Sequence, residues 1–125
     1  MRIQKRSFSA LGEQARGIPD EEAAKLWEVW KPRLKIGRLP ERSLSSALKL
    51  YLAVKREMAE DNQIAGVGIN CLNESYFSDT MPCLAWNILY EERDLIWGCE
   101  AGTVSMLTNY LLNRVLRVPV MITNL

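Results

Sequence analysis

From residue 64 onward the chain alternates short apolar runs with helical patterns, and this alternation limits its fold more than any other feature. "IAGVGINCL", residues 64–72, is short, apolar and rich in small residues, and reads as a buried strand. "MPCLAWNILYEE" follows as a helix, with Thr80 or Met81 as its cap, Pro82 in its first turn and Leu84, Ala85, Ile88 and Leu89 facing inward. "DLIWGCE" reads as a second strand and "TVSMLTNYLLNRVL" as a helix with Val104, Leu107, Leu111 and Val115 on one stripe. "VPVMITNL" reads as a third strand. Strands alternating with helices predict a parallel sheet. The crossovers, residues 73–93 and 100–117, are long enough for right-handed βαβ units. With neighbouring strands, both crossover helices would cover the same face of the sheet.

The other face needs a cover, and the first half of the chain offers one. "GIPDEEAAKLWEVWKP" predicts a helix capped by Asp20, with Glu21 and Glu22 at the positive end of its dipole and Pro32 as its stop. Ala23, Leu26, Trp27 and Trp30 share one side of it. A second helix is expected from Ser43 to about Asp61, with an apolar stripe of Leu44, Ala47, Leu48, Tyr51, Leu52 and Met58. Residues 1–17 carry charge and little periodicity, and read as an N-terminal arm. The expected fold is α/β: a small three-layer αβα domain over residues 18–125, with a three-stranded, mostly parallel sheet and about four helices.

The chain has 125 residues, room for one domain with a modest core. Its net charge of +1 argues against a nucleic-acid partner. No apolar run approaches the ~20 residues of a membrane span, and the start lacks the apolar stretch of a secretory signal. A cytoplasmic location without membrane attachment is expected. The chain has three cysteines and no histidine. An odd count with wide spacing is not a disulfide framework. The lack of histidine excludes a Ser-His or Cys-His nucleophile pair, and every histidine-based metal site, within this chain.

Parallel sheets bind ligands at the carboxyl ends of their strands. Glu74 and Asp79 follow the first expected strand, Cys99, Glu100 and Thr103 the second, and Asn124 the third. One edge could collect Glu74, Asp79, Glu100 and Asn124, with Cys99 and Thr103 beside Glu100. Two or three carboxylates with amides suit a hard divalent cation such as Mn²⁺ or Mg²⁺. Each residue also has a structural explanation. Glu100 gains from a helix dipole without any ligand, Asp79 and Thr80 suit caps, and Cys71, Cys83 and Cys99 suit small core positions. A redox role for Cys71 and Cys99 is weaker, since a thiolate without histidine needs a helix end or a cation to activate it.

The run from "SDTMPCLAWNIL" through "IWGCEAGTVSMLTNYLL" to "VPVMITNL" resembles the sugar ketol-isomerases of the L-fucose and L-arabinose isomerase superfamily. The similarity extends over roughly residues 18–125. The resemblance implies a Mn²⁺ ion held by a Glu after the second strand, an acid after the third and a His further on. It also implies proton transfer between adjacent sugar carbons through an enediol. Glu100 matches the first ligand and the catalytic acid. Asn124 takes the place of the second acid, Gly102 that of a further acid, and the His has no counterpart. The resemblance therefore implies a truncated, catalytically inactive domain with weak sugar or cation binding. It would hold no cofactor strongly, with Mn²⁺ as the ion the family would bring. The alternative is an aldose-ketose isomerase completed by a partner chain that supplies the missing ligands. The apolar third strand, with Val118, Val120 and Ile122, adds the expectation of a homo-oligomer.

Overall fold

A computed structural model describes residues 2–59, 61, 63–98 and 102–120. The elements in chain order are α1 (Phe8–Arg16), α2 (Asp20–Trp30), a 3₁₀ turn (Lys31–Arg33), α3 (Glu41–Ala59), β1 (Gly66–Gly68), α4 (Cys71–Glu74), a 3₁₀ turn (Ser75–Phe77), α5 (Cys83–Arg93), β2 (Ile96–Gly98) and α6 (Thr103–Leu116).

The core is built by helices. α3 is its axis, because it buries more than one stripe: Leu48, Leu50, Tyr51, Ala53 and Val54 are all buried. α1, α2 and α5 pack around it. α1 brings Phe8 and Ala15, α2 brings Ala23 and Trp30, and α5 brings Ala85, Trp86, Ile88 and Leu89. Each fully buried Leu or Ile contributes about 1.5–3 kcal/mol of transfer free energy. Local signals set the helix ends. Ser7 caps α1 through Ala10 N–H. Pro19 precedes Asp20, Glu21 and Glu22 at the positive end of α2. Asp94, at φ 53°, closes α5 with a left-handed turn.

The expected three-layer domain is corrected by this arrangement. The protein is mostly helical, with six α-helices and one two-stranded sheet among the described residues. β1 and β2 do pair in parallel, Val67 opposite Trp97, but each strand is only three residues long. A sheet this small cannot organise a layer, so burial falls to the helices. The third strand does not form in residues 118–120. Arg117 adopts a left-handed turn at φ 55° after α6, and Pro119 has no N–H to give to a ladder. Residues 121–125 lie outside the described residues. The segment read as an arm contains α1, which packs on α3.

The two faces of the sheet are covered by different elements. Side chains alternate along a strand, so Val67 and Trp97 share one face, and both pack against the helical core. The opposite face presents Gly66 and Gly98 to α6. A Cβ on Gly66 would come within 3.0 Å of Met106 Sδ, and one on Gly98 within 3.2 Å of Met106 Cβ. α5 and α6 therefore lie on opposite faces, where both were expected on one. Glycines in strands mark such close approaches.

α6 is also turned over relative to its expected orientation. Its inner side carries Met106 and the buried Asn109, while Asn113 donates to the Tyr90 hydroxyl at 2.9 Å and to Val118 O at 3.2 Å. The apolar stripe faces outward: Val104 is 81% exposed and Val115 77%. An amide–hydroxyl bond to α5 and a glycine floor select the inner side, in place of the hydrophobic stripe.

A polar knot ties α3 to α5. The Tyr51 hydroxyl donates to Glu92 Oε2 at 2.5 Å, and Lys55 Nζ donates to the same phenol oxygen at 2.7 Å and to Glu92 Oε2 at 3.0 Å. Burial of the phenol, and then its bond to Glu92, push the Tyr51 pKa far above the ordinary tyrosine value of about 10. A phenol whose folded pKa is raised stabilises the fold fully below its unfolded pKa and loses that contribution as pH rises toward the folded one. Stability should therefore fall above pH ~10. Tyr51→Phe should cost about 1.5 kcal/mol at neutral pH, as for a hydrogen bond to a charged group, and remove the Tyr51 part of the alkaline fall. Urea unfolding of both proteins at pH 7, 9 and 11 checks it.

Candidate functional site

One concavity among the described residues lies between helices. A cleft of about 660 Å³ opens between the end of α1, one side of α2, the first half of α3 and the turn at Ser78–Asp79. This volume is in the range of small-molecule sites.

Two ion-paired carboxylates line it. Asp79 sits at φ 56°, a left-handed conformation that Asp tolerates better than bulkier residues. That turn follows Ser78, whose buried hydroxyl donates to Thr80 O at 3.0 Å and to Ser75 O at 3.2 Å. Asp79 Oδ2 accepts from Arg16 Nε at 3.2 Å, and its Oδ1 lies 3.8 Å from Arg42 Nη2. Arg16 also donates to Tyr76 O at 2.9 Å, which fixes the guanidinium against the turn. Two turns further along α3 from Arg42, Lys49 Nζ pairs with Asp20 Oδ1 at 2.8 Å, and Asp20 Oδ1 also accepts from Ser45 Oγ at 3.0 Å. The bond from Lys49, then that from Ser45, hold the Asp20 carboxyl below the usual carboxylate range. Trp27, Ala23 and Ala24 supply the apolar part of the lining.

Chemically, the cleft presents donors and acceptors in fixed pairs beside an aromatic ring. Asp20 remains ionised at neutral pH and holds no proton to transfer. Such a surface is suited to recognition more than to acid–base work.

The expected strand-end site is only partly represented. Cys99, Glu100 and Asn124 lie outside the described residues. Glu74 is half-buried at the end of α4, and Thr103 is exposed at the start of α6. Asp79 faces the two arginines of the interhelical cleft. Among the described residues no group of three His, Cys, Asp or Glu side chains could hold a metal ion. The ligands implied for Mn²⁺ are Glu100 and Asn124, so no step through a metal follows from the described residues.

Sequence reasoning missed Arg16, Asp20, Trp27, Arg42, Ser45 and Lys49 as a group. A signal existed: Arg42, Ser45, Ser46 and Lys49 recur at spacings of three and four, a polar stripe along one side of α3. Asp20 reads as a cap, and Lys49 falls outside the apolar stripe of its helix. Their meeting depends on how α2 crosses α3, which periodicity within one helix does not encode.

Among the described residues no helix is long and apolar enough to cross a membrane. No family model, no curated protein and no solved structure matches the chain.

Proposed function

We propose that this chain is a non-catalytic, fucose-isomerase-like cytoplasmic domain that binds a neutral sugar weakly in the cleft between α1, α2 and α3. The observation that carries the reading is the pairing of Asp79 with Arg16 and Arg42, and of Asp20 with Lys49, in one lining that also holds Trp27. A sugar hydroxyl both donates and accepts, and a carboxylate beside a cation offers both partners within one hydroxyl's reach. With Glu41 also in the lining, three acids balance the three bases Arg16, Arg42 and Lys49, which favours a neutral polyol over an anion. The apolar C–H face of a sugar ring matches Trp27 and the two alanines. Water competes strongly at Asp20, whose side chain is 84% exposed, so affinity in the millimolar range, about −4 kcal/mol, is expected.

The absence of catalysis is supported by the resemblance itself, in which Gly102 and Asn124 stand where acids are needed and no histidine is present.

Calorimetric titration with L-fucose and L-arabinose should give millimolar binding, weakened about fivefold or more in Asp79→Ala. An assay for ketose formation, with and without added Mn²⁺, should stay at the no-protein blank. Ketose above that blank, abolished by Glu100→Gln, would establish an enzyme and overturn the proposal. Binding unaffected by Asp79→Ala would move the sugar out of the cleft.

A further inference from the structure

We propose that the outer side of α6 is the contact surface between two copies of this chain, paired antiparallel about a two-fold axis. The inference is independent of the sugar cleft and rests on a different face.

The first observation is the inversion of the helix. α6 buries Asn109, whose side-chain oxygen has no partner among the described residues, and exposes its aliphatic residues. Val104 is 81% exposed, Val115 77%, Leu116 56%, Leu111 55%, Leu112 41% and Leu107 40%. Together these amount to between three and four fully exposed aliphatic side chains. At about 25 cal/mol per Å² and 1.5–3 kcal/mol per side chain, this is on the order of 200–400 Å² of apolar surface. The smallest stable dimers bury about 600 Å² per partner, of which roughly 56–65% is apolar. The exposed aliphatic residues of α6 thus supply more than half of the apolar share of one such interface. It is too small for the large obligate class.

The second observation is the order of residues along the stripe. Val104, Leu107, Leu111 and Val115 run Val-Leu-Leu-Val in residue type from either end, with spacings of three, four and four. A two-fold contact must be self-complementary, each residue meeting its counterpart on an identical patch. Antiparallel pairing that sets Val104 level with the second copy's Val115 brings Leu107 level with Leu112 and within one residue of Leu111 in the middle. A parallel pairing would leave the helix dipoles aligned side by side, which is unfavourable.

The third observation is charge. α6 carries no acid, and its one arginine, Arg114, is drawn over the Tyr110 ring at 5.2 Å, beside the stripe. In the antiparallel pair the two Arg114 positions fall at opposite ends, about nine residues or ~13 Å apart along the axis. That exceeds the Debye length of about 8 Å at physiological salt, so the arginines do not oppose the contact.

Sedimentation equilibrium of the full chain should show a reversible monomer–dimer equilibrium with a dissociation constant in the micromolar range, about what a small interface gives. Leu111→Glu should be monomeric throughout the same range. Its circular dichroism should be unchanged, because the side chain it replaces is exposed. Orientation is read by disulfide trapping in a Cys83→Ser background, which removes an exposed thiol. Mixed Val104→Cys and Val115→Cys proteins should form a cross-linked heterodimer faster than either protein cross-links with itself. A wild-type monomer at 100 μM, roughly a hundredfold above the expected constant, would overturn the proposal. So would a dimer that survives Leu111→Glu, or a Val104→Cys protein that cross-links to itself as readily as to Val115→Cys.

Discussion

Trp86→Ala should lower stability by about 3–5 kcal/mol, the range for removing a large aromatic from a core. Trp86 is 2% exposed and belongs to the same buried cluster as Leu50, Tyr51, Ile88 and Leu89. Its removal takes away the transfer free energy of the ring and leaves a cavity in the helical core. A loss this large is comparable with the whole stability of many domains of this size, about 5–15 kcal/mol. The substituted protein should unfold at a far lower urea concentration, or be unfolded already at 37 °C. Leu111→Ser, by contrast, removes an aliphatic side chain from the exposed stripe and should change monomer stability by no more than about 0.5 kcal/mol. Denaturation followed by circular dichroism, at a concentration where the chain is monomeric, measures both. A Leu111→Ser cost approaching that of Trp86→Ala would mean that α6 packs its stripe inward.

Gly12→Ala should also destabilise, although the usual expectation for this change within a helix is a gain. Alanine exceeds glycine in helix propensity by about 0.8–1 kcal/mol. At this position, however, the new methyl group would collide with the Phe77 carbonyl oxygen, and would lie 2.8 Å from Phe77 C and 3.1 Å from its Cβ. The obstacle is mostly backbone and cannot swing aside. α1 and the Ser75–Phe77 turn would have to separate, which disturbs the edge-to-face contact of Phe8 with Phe77 at 6.4 Å between centroids. Overpacking of this kind costs about 1–3 kcal/mol, which outweighs the propensity gain. A fall in melting temperature confirms the close approach. A rise would show that α1 does not sit on the turn as described.

Much of the helical part was legible in the sequence. The helix over Asp20–Trp30 begins and ends close to its acidic start and Pro32, because those signals act within one turn of the backbone. α3 was expected from Ser43 to about Asp61 and runs from Glu41 to Ala59. Its apolar stripe was recognised, but not the burial of Leu50, Ala53 and Val54, which exists because α3 is surrounded by α1, α2 and α5. A central helix buries residues off its main stripe, and only tertiary packing shows which helix is central.

α1 was missed because its inward residues, Phe8, Gly12 and Ala15, include a glycine and an alanine. Those residues give no hydrophobic signal, yet they are what allow a close approach. The same reasoning applies to α6, where Gly66 and Gly98 made room for Met106 and Asn109 while the sequence drew attention to the stronger aliphatic stripe. The parallel pairing of the two short strands was legible in their apolar texture. The three-layer sheet was not to be had from them, because three-residue strands cannot bear it.

Asp79 was recognised as a candidate, but its partners Arg16 and Arg42 lie far away in sequence, on helices whose crossing no local pattern records. Glu74 ends the short helix α4 and Thr103 begins α6.

The central functional claim is that a sugar would be recognised in the interhelical cleft, away from the carboxyl ends of the strands. The most direct test is a titration of isotopically labelled protein with L-fucose, followed through the backbone amides and the tryptophan indole N–H signals. The account predicts that the Trp27 indole and the amides of Arg16, Ser45, Lys49 and Asp79 shift together, along one saturating curve. Shifts confined to residues 70–74 and 98–103, with Trp27 unmoved, or no shift anywhere up to ~100 mM, well above the millimolar affinity expected, would contradict it.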